Sequence, residues 1–285
     1  MKKEFFLTFW RAILIIIFMT IITGIFSFVL VILPTKYMHI SFSGFYFRNV
    51  QSFVYIITDF TIIVILTYRY KINFRLQINK VSSRLTLLFF VITIVIFANI
   101  IPLVNPIDFV EKLFNSRILF HKFEPNIISY IGWFGFIESV IFIPILEELL
   151  FRGIFLNQFL KRYSVPQSLI YSSIIFAAFH LRPLAFGYLF LYGLLFGYAY
   201  YKTNSLTTSI FLHILINFMA KITTIQHIEI GAVSLPKYIL FLGASIFIIL
   251  MVFSVINKGA NSVKLDTSIL KEKIKHFYSQ FDERD

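Results

Sequence analysis

Cysteine is absent from all 285 residues. That removes disulfide frameworks, Cys-ligated zinc, iron–sulfur clusters and thiol nucleophiles from the possible functions. Charge is also scarce. Charged residues make up 14%, whereas a soluble globular domain carries about a quarter. Two familiar hydrolase signatures are missing as well: there is no Gly-x-Ser-x-Gly elbow and no His-Glu-x-x-His zinc helix.

Apolar side chain dominates instead. Hydrophobic residues reach 58% and the mean hydropathy is +0.83. The excess lies in long runs along the whole chain, which excludes disorder and predicts an all-α, polytopic membrane bundle. Eight apolar segments can be marked, near 11–33, 50–68, 85–104, 127–160, 166–181, 184–201, 205–223 and 235–256. The fifth and sixth are short, and the fourth is too long for one straight span of about 20 residues. The first follows Met1-Lys2-Lys3 and exceeds the ~7–15 residues of a signal-peptide core, so it reads as a retained helix.

The net charge of +12 would suggest nucleic acid in a soluble protein. Here it reads as orientation and lipid contact, with no nucleic-acid partner expected. With the N-terminus inside, the inner loops hold Lys2, Lys3, Arg11, Arg69, Lys71, Arg75, Lys80, Arg84, Lys161, Arg162, Lys202 and the tail lysines. They outnumber the outer set by about two to one, which predicts both termini cytoplasmic; the richness in Ile, Phe, Lys and Asn suggests a bacterial cell membrane. Residues 1–257 read as one transmembrane domain, with its motif-bearing core at about 140–220, and 258–285 as a basic cytoplasmic tail. Residues 105–125 suit an interfacial helix on the outer face. Gly193 and Gly197 form a small-xxx-small pair that favours close helix packing. Most of the 37 Phe and 15 Tyr are expected to face lipid or its interfaces.

Ionisable groups inside spans are costly and mark function. Segment four holds Glu147, Glu148 and Arg152; segment five ends at His180; segment seven holds His213 and Asn217. Glu148 and Arg152 stand four apart and meet on one helix face. Glu147 is turned about 100° away and lacks that partner. Asp59 and Glu138 are expected near the interface or facing water, with Glu138 on the helix face opposite Glu147. Pro144 suits a first turn, so segment four is expected to divide into two pieces, with the chemistry on 144–162. Counting from the cytoplasmic turns at 1.5 Å per residue puts Glu147 and His180 at about 24 Å, His213 at about 15 Å and Asn217 at about 21 Å. These four therefore share a layer.

Such a set suits hydrolysis. A carboxylate with an imidazole can hold a water and take its proton. A second His and an Asn amide can donate to a developing oxyanion. Two His and a Glu can also bind zinc with an open position. Taken singly, a Glu–Arg pair is a structural bond and an interior His or Asn a helix–helix hydrogen-bond partner.

The residues Glu147-Glu148-x-x-x-Arg152, Phe176-x-x-x-His180 and His213-x-x-x-Asn217, in that order on successive apolar segments, resemble the CPBP intramembrane proteases, also called the CAAX-protease or Abi family. The resemblance covers about residues 140–220. It implies an eight-helix fold with the site inside the bundle, an intramembrane endopeptidase, and a peptide or membrane-protein substrate. It further implies that Glu147 and His180 activate water, that His213 and Asn217 support the oxyanion, and that Glu148 and Arg152 steady the site. Members have been described as metal-independent glutamate proteases and as metalloproteases. A divalent metal such as zinc on Glu147, His180 and His213 therefore stays open. Bacterial relatives are linked to processing of secreted peptides and to self-immunity. Two other classes compete: a non-catalytic scaffold or bacteriocin-immunity protein using the same cavity, and a proton-coupled transporter, against which the lack of an inverted repeat weighs.

Overall fold

The computed structural model describes residues 7–37, 44–74, 77, 83–113, 134–225 and 235–260. The described residues are all helical apart from turns, and they form eight helices, here numbered in chain order. Helix α1 spans Phe9–Ser27 and continues through a π-turn, Phe28–Ile32, into Leu33–Tyr37. Then come α2, Gly44–Arg69, and α3, Ser83–Leu113. Helix α4 covers residues 134–160, α5 is Val165–Phe179, α6 Phe186–Thr203, α7 Leu206–Ile225 and α8 Leu235–Ala260. The expected interfacial stretch is helical over 105–113 as the end of α3, and 114–125 lies outside the described residues, as does the tail from 261 onward.

Helix α4 is one continuous helix, not two pieces. It alternates between π-helix at Glu138–Phe142, α-helix at Ile143–Glu148, π-helix at Leu149–Leu156 and a last turn at Asn157–Leu160. Pro144 accounts for the first π-turn. Within an α-helix its ring collides with the carbonyl four residues earlier and removes a hydrogen bond. The wider π-turn just before it relieves that crowding, with Ile143 N–H reaching back to Glu138 O.

Helix α4 packs against α2, α5, α6 and α7; α5 and α6 make the most extensive pairing, α1 lies on α2 and α5, and α8 lies on α3. Helix α5 starts as its sequence suggests. Ser164 and Gln167 form a reciprocal capping box with Pro166 in the first turn.

One end of the bundle gathers the basic turns. The Phe9 N–H donates to the Tyr163 hydroxyl at 3.3 Å, and the Leu206 N–H donates to the Gln77 carbonyl at 2.8 Å. The start of α1, the turn after α2, the α4–α5 turn and the α6–α7 turn therefore share that end.

The core is aromatic. Phe151, Phe155, Phe159, Phe176, Phe179 and Phe196 are buried around α4, mostly edge to face. The expectation that most aromatics face outward misses this cluster. Large apolar side chains nevertheless cover the outward faces, among them Trp10, Phe18, Phe60, Leu240 and Phe247. Such coverage fits lipid contact better than water. Among the described residues, Phe9–Leu30 and Ser52–Arg69 are long and apolar enough to cross a membrane. Four apolar helices are shorter: Ser83–Asn99, Val165–Phe179, Leu206–Ile222 and Leu242–Ile256.

Candidate active site

Helix α4 delivers Glu147, Glu148 and Arg152, the C-terminal end of α5 delivers His180, and α7 delivers His213 and Asn217. The foundation is Arg152, which is fully buried. Its Nη1 donates to Glu148 Oε1 at 2.7 Å, the i,i+4 pairing expected from the spacing. Its Nη2 donates to the Gly193 carbonyl on α6 at 3.0 Å. The guanidinium carbon lies 4.5 Å from the Phe176 ring centre and 5.4 Å from that of Phe196. Charge, hydrogen bonds and aromatic faces thus hold this buried cation together, while its Nε is buried without a hydrogen-bond partner.

The glycine at 193 has a reason. A Cβ there would stand 3.0 Å from the Ser173 Cα on α5. Close packing of α5 on α6, expected from the small-residue pair, is thus present, and it exposes the carbonyl that Arg152 uses.

Glu148 Oε1 also meets His213 Nδ1 at 2.8 Å. A carboxylate oxygen only accepts, so Nδ1 carries the proton and Nε2 points the other way. Phe196 stacks on the imidazole, centroids 4.8 Å apart and planes at 25°. His180 is fixed by the same logic. Its Nδ1–H donates to the Phe176 carbonyl at 2.8 Å, and Phe176 lies edge-on to the ring.

Both free Nε2 atoms then converge on one oxygen. Glu147 Oε2 is 3.6 Å from His213 Nε2 and 3.9 Å from His180 Nε2. These gaps exceed direct hydrogen bonds. They are the right size for a small polar molecule bridging three polar atoms. Glu147 and Glu148 are buried, while the His180 side chain is 23% exposed, so the cluster opens along His180.

Asn217 joins α7 to α4. Its Nδ2 donates to the Ser139 carbonyl at 3.0 Å, two turns before Glu147 on α4, leaving a second amide hydrogen. Glu138 and Asp59 are not water-facing. They are 3% and 4% exposed. Glu138 is hydrogen-bonded to Ser52. Asp59, on α2, is near enough to Glu147 for the two charges to interact. Burial follows because α2 packs on α4 at that level, a contact no periodicity in α2 announces.

Zinc would sit between Glu147, His180 and His213. Among the described residues no group of three His, Asp or Glu is arranged to hold a metal ion. The 3.6 and 3.9 Å separations are wider than the edge of a tetrahedral zinc site, about 3.3 Å for bonds of ~2.0–2.1 Å. A separate outer groove of about 450 Å³, lined by Ser83, Thr86, Leu87, Phe90 and Phe211, contains none of these residues.

Residues 128–219 match a family model described as Type II CAAX prenyl endopeptidase Rce1-like, about a third of the chain. No curated protein and no solved structure matches the chain. The matched stretch runs through α4, α5, α6 and most of α7, and holds every residue of the cluster except Asp59. The segment that builds the buried Glu–His cluster is thus similar to the Type II CAAX prenyl endopeptidase Rce1-like family.

Proposed function

We propose that this chain is an intramembrane endopeptidase in which Glu147 and His180 activate a water. One observation carries the reading: three polar atoms, Glu147 Oε2 and two imidazole Nε2, converge with both Nδ1 positions already committed. A water held there loses a proton to Glu147, with His180 accepting from its other O–H. The oxygen attacks the peptide carbonyl carbon, and the C–O bond forms as charge moves to the carbonyl oxygen. Glu147 then returns the proton to the amide nitrogen as the C–N bond breaks. An oxyanion role for His213 requires a hydrogen on Nε2, because its Nδ1–H is taken by Glu148. The second amide hydrogen of Asn217 supplies the other donor.

The apolar outward faces and the two long apolar helices support a bilayer setting, and the family match over 128–219 supports a peptide or membrane-protein substrate. The basic end of the bundle faces the cytoplasm in this reading, both termini with it.

The test is cleavage by purified protein in proteoliposomes, with a peptide library drawn from membrane and secreted proteins. Glu147→Gln is expected to lower the rate by about 10²–10⁴-fold, the usual worth of a positioned general base. Cleavage by Glu147→Gln at the wild-type rate sinks the assignment. Absence of any product with wild type, alongside intact binding of a partner, favours a scaffold or immunity protein. A strong metal chelator is expected to leave the rate unchanged.

A further inference from the structure

The turn after α2 reads in the sequence only as a run of cations. In the structure it enters the bundle. Lys71 has a positive φ of 49°, a conformation that costs a non-glycine residue strain and persists where surroundings enforce it. Tyr70 and Ile72 N–H groups close back on Leu66 and Thr67 carbonyls at 2.9 Å each. The turn thereby sends Phe74 and Gln77 back under α4. Gln77 is 5% exposed.

Gln77 directs its polar groups at three helices. Its Nε2 donates to the Gly153 carbonyl of α4 at 3.1 Å. Its Oε1 accepts from the Tyr200 hydroxyl of α6 at 3.2 Å. Its backbone carbonyl accepts from the Leu206 N–H, the first residue of α7, at 2.8 Å. Phe74 adds shape. A Cβ on Gly153 would lie 2.6 Å from Phe74 Cε1, so the ring rests on the bare glycine.

Position makes these contacts more than a local fit. Gly153 directly follows Arg152 and lies inside the π-stretch Leu149–Leu156. Eight residues is long for a π-helix, which is normally a single turn and less favourable than α. Relaxation to α-helix would rotate one side of the stretch against the other by about one residue, or roughly 100°. Glu148 sits just before the stretch and Arg152 within it, so their joint aim at His213 and the Gly193 carbonyl depends on that register. Leu206 is about two turns before His213 on α7. One residue thus fixes both sides of the Glu148–His213 bond.

We propose that Gln77 is a positioning residue: with Phe74 it holds the π-stretch of α4 in the register that lets Glu148 orient His213. The inference deepens the protease reading and rests on it for its catalytic meaning. Its structural content is tested separately.

The experiment compares wild type, Gln77→Ala and Gln77→Glu in lipid nanodiscs. Gln77→Glu keeps the size and the acceptor for Tyr200 but loses the donor for Gly153. Ring nitrogen-15 resonances of histidine report whether Nδ1 of His213 is a hydrogen-bonded N–H, with His180 as internal control because Phe176 holds it. Both variants are expected to change the His213 signal and leave that of His180 in place. Where cleavage is measurable, kcat falls at least tenfold while KM stays within about twofold. An unchanged His213 signal in Gln77→Glu overturns the proposal, whatever happens to thermal stability. If wild type cleaves nothing, the nitrogen signals still decide the role of Gln77, and only the protease reading falls.

Discussion

Adjacent carboxylates in α4 have different work, and their partners show it. Glu148 is bonded to Arg152 and His213, whereas the nearest imidazole nitrogens stand 3.6 and 3.9 Å from Glu147. Removing Arg152 strands a buried carboxylate. Arg152→Ala is therefore expected to cost about 3–5 kcal/mol, the usual price of breaking a buried ion pair from one side. The check is the unfolding midpoint in detergent. Glu147→Gln removes charge and no direct hydrogen bond, so its midpoint should match or exceed wild type while cleavage is lost. A large fall in the Glu147→Gln midpoint would make Glu147 a structural residue. At this scale the sequence was informative about local pairs. The i,i+4 bond of Glu148 and Arg152 follows from helix geometry alone. The bond from Glu148 to His213 spans 65 residues, and no spacing rule reaches across three helices to find it. Asp59 was missed for the same reason, since its burial is set by a neighbouring helix.

The elements carry a second set of expectations. The eight apolar segments became eight helices because a bilayer-length apolar run has few alternatives to a helix. The alternation of α and π turns inside α4 was not legible, since the apolar pattern of 134–160 fits either winding. Pro144 gave the one signal of irregularity, and the helix answered with a wider turn rather than a break. The glycines of α6 were legible as a packing pair, and the structure adds the carbonyl bond to Arg152. Gly193→Ala would press a Cβ to 3.0 Å from Ser173 Cα, a backbone atom that cannot swing aside. We expect a loss of about 1–3 kcal/mol, typical of overpacking, and reduced activity as the Gly193 carbonyl leaves Arg152. Gly24 lies within α1 and has nothing within 4 Å of a built Cβ, so Gly24→Ala should stabilise by about 0.5–1 kcal/mol through helix propensity. Equal midpoints for the two variants would mean that α5 and α6 are not in close contact.

At the scale of the molecule, the same hydrogen bonds that close the bundle also sort its loops. Phe9 to Tyr163 and Leu206 to Gln77 gather the turns that the charge count assigns to one side. The turn carrying Leu181 lies at the far end of α5 from Ser164. Leu181 is 68% exposed and follows His180, where the cluster opens. If the basic end is cytoplasmic, the Leu181 turn faces outward and the site is reached from that half of the bilayer. The missing thiols make this directly measurable, since any cysteine introduced is the sole reactive one. In intact cells an impermeant maleimide should label Leu181→Cys and spare Arg162→Cys; after lysis both should react. Labelling of Arg162→Cys alone in intact cells would invert the topology, leaving the site geometry intact but turning its opening to the cytoplasm. Labelling of both would place the two turns on one face and contradict a single crossing by α5. Protection of Leu181→Cys by an added peptide, with no effect of that peptide on Arg162→Cys in lysed cells, would identify the His180 rim as the entry for substrate.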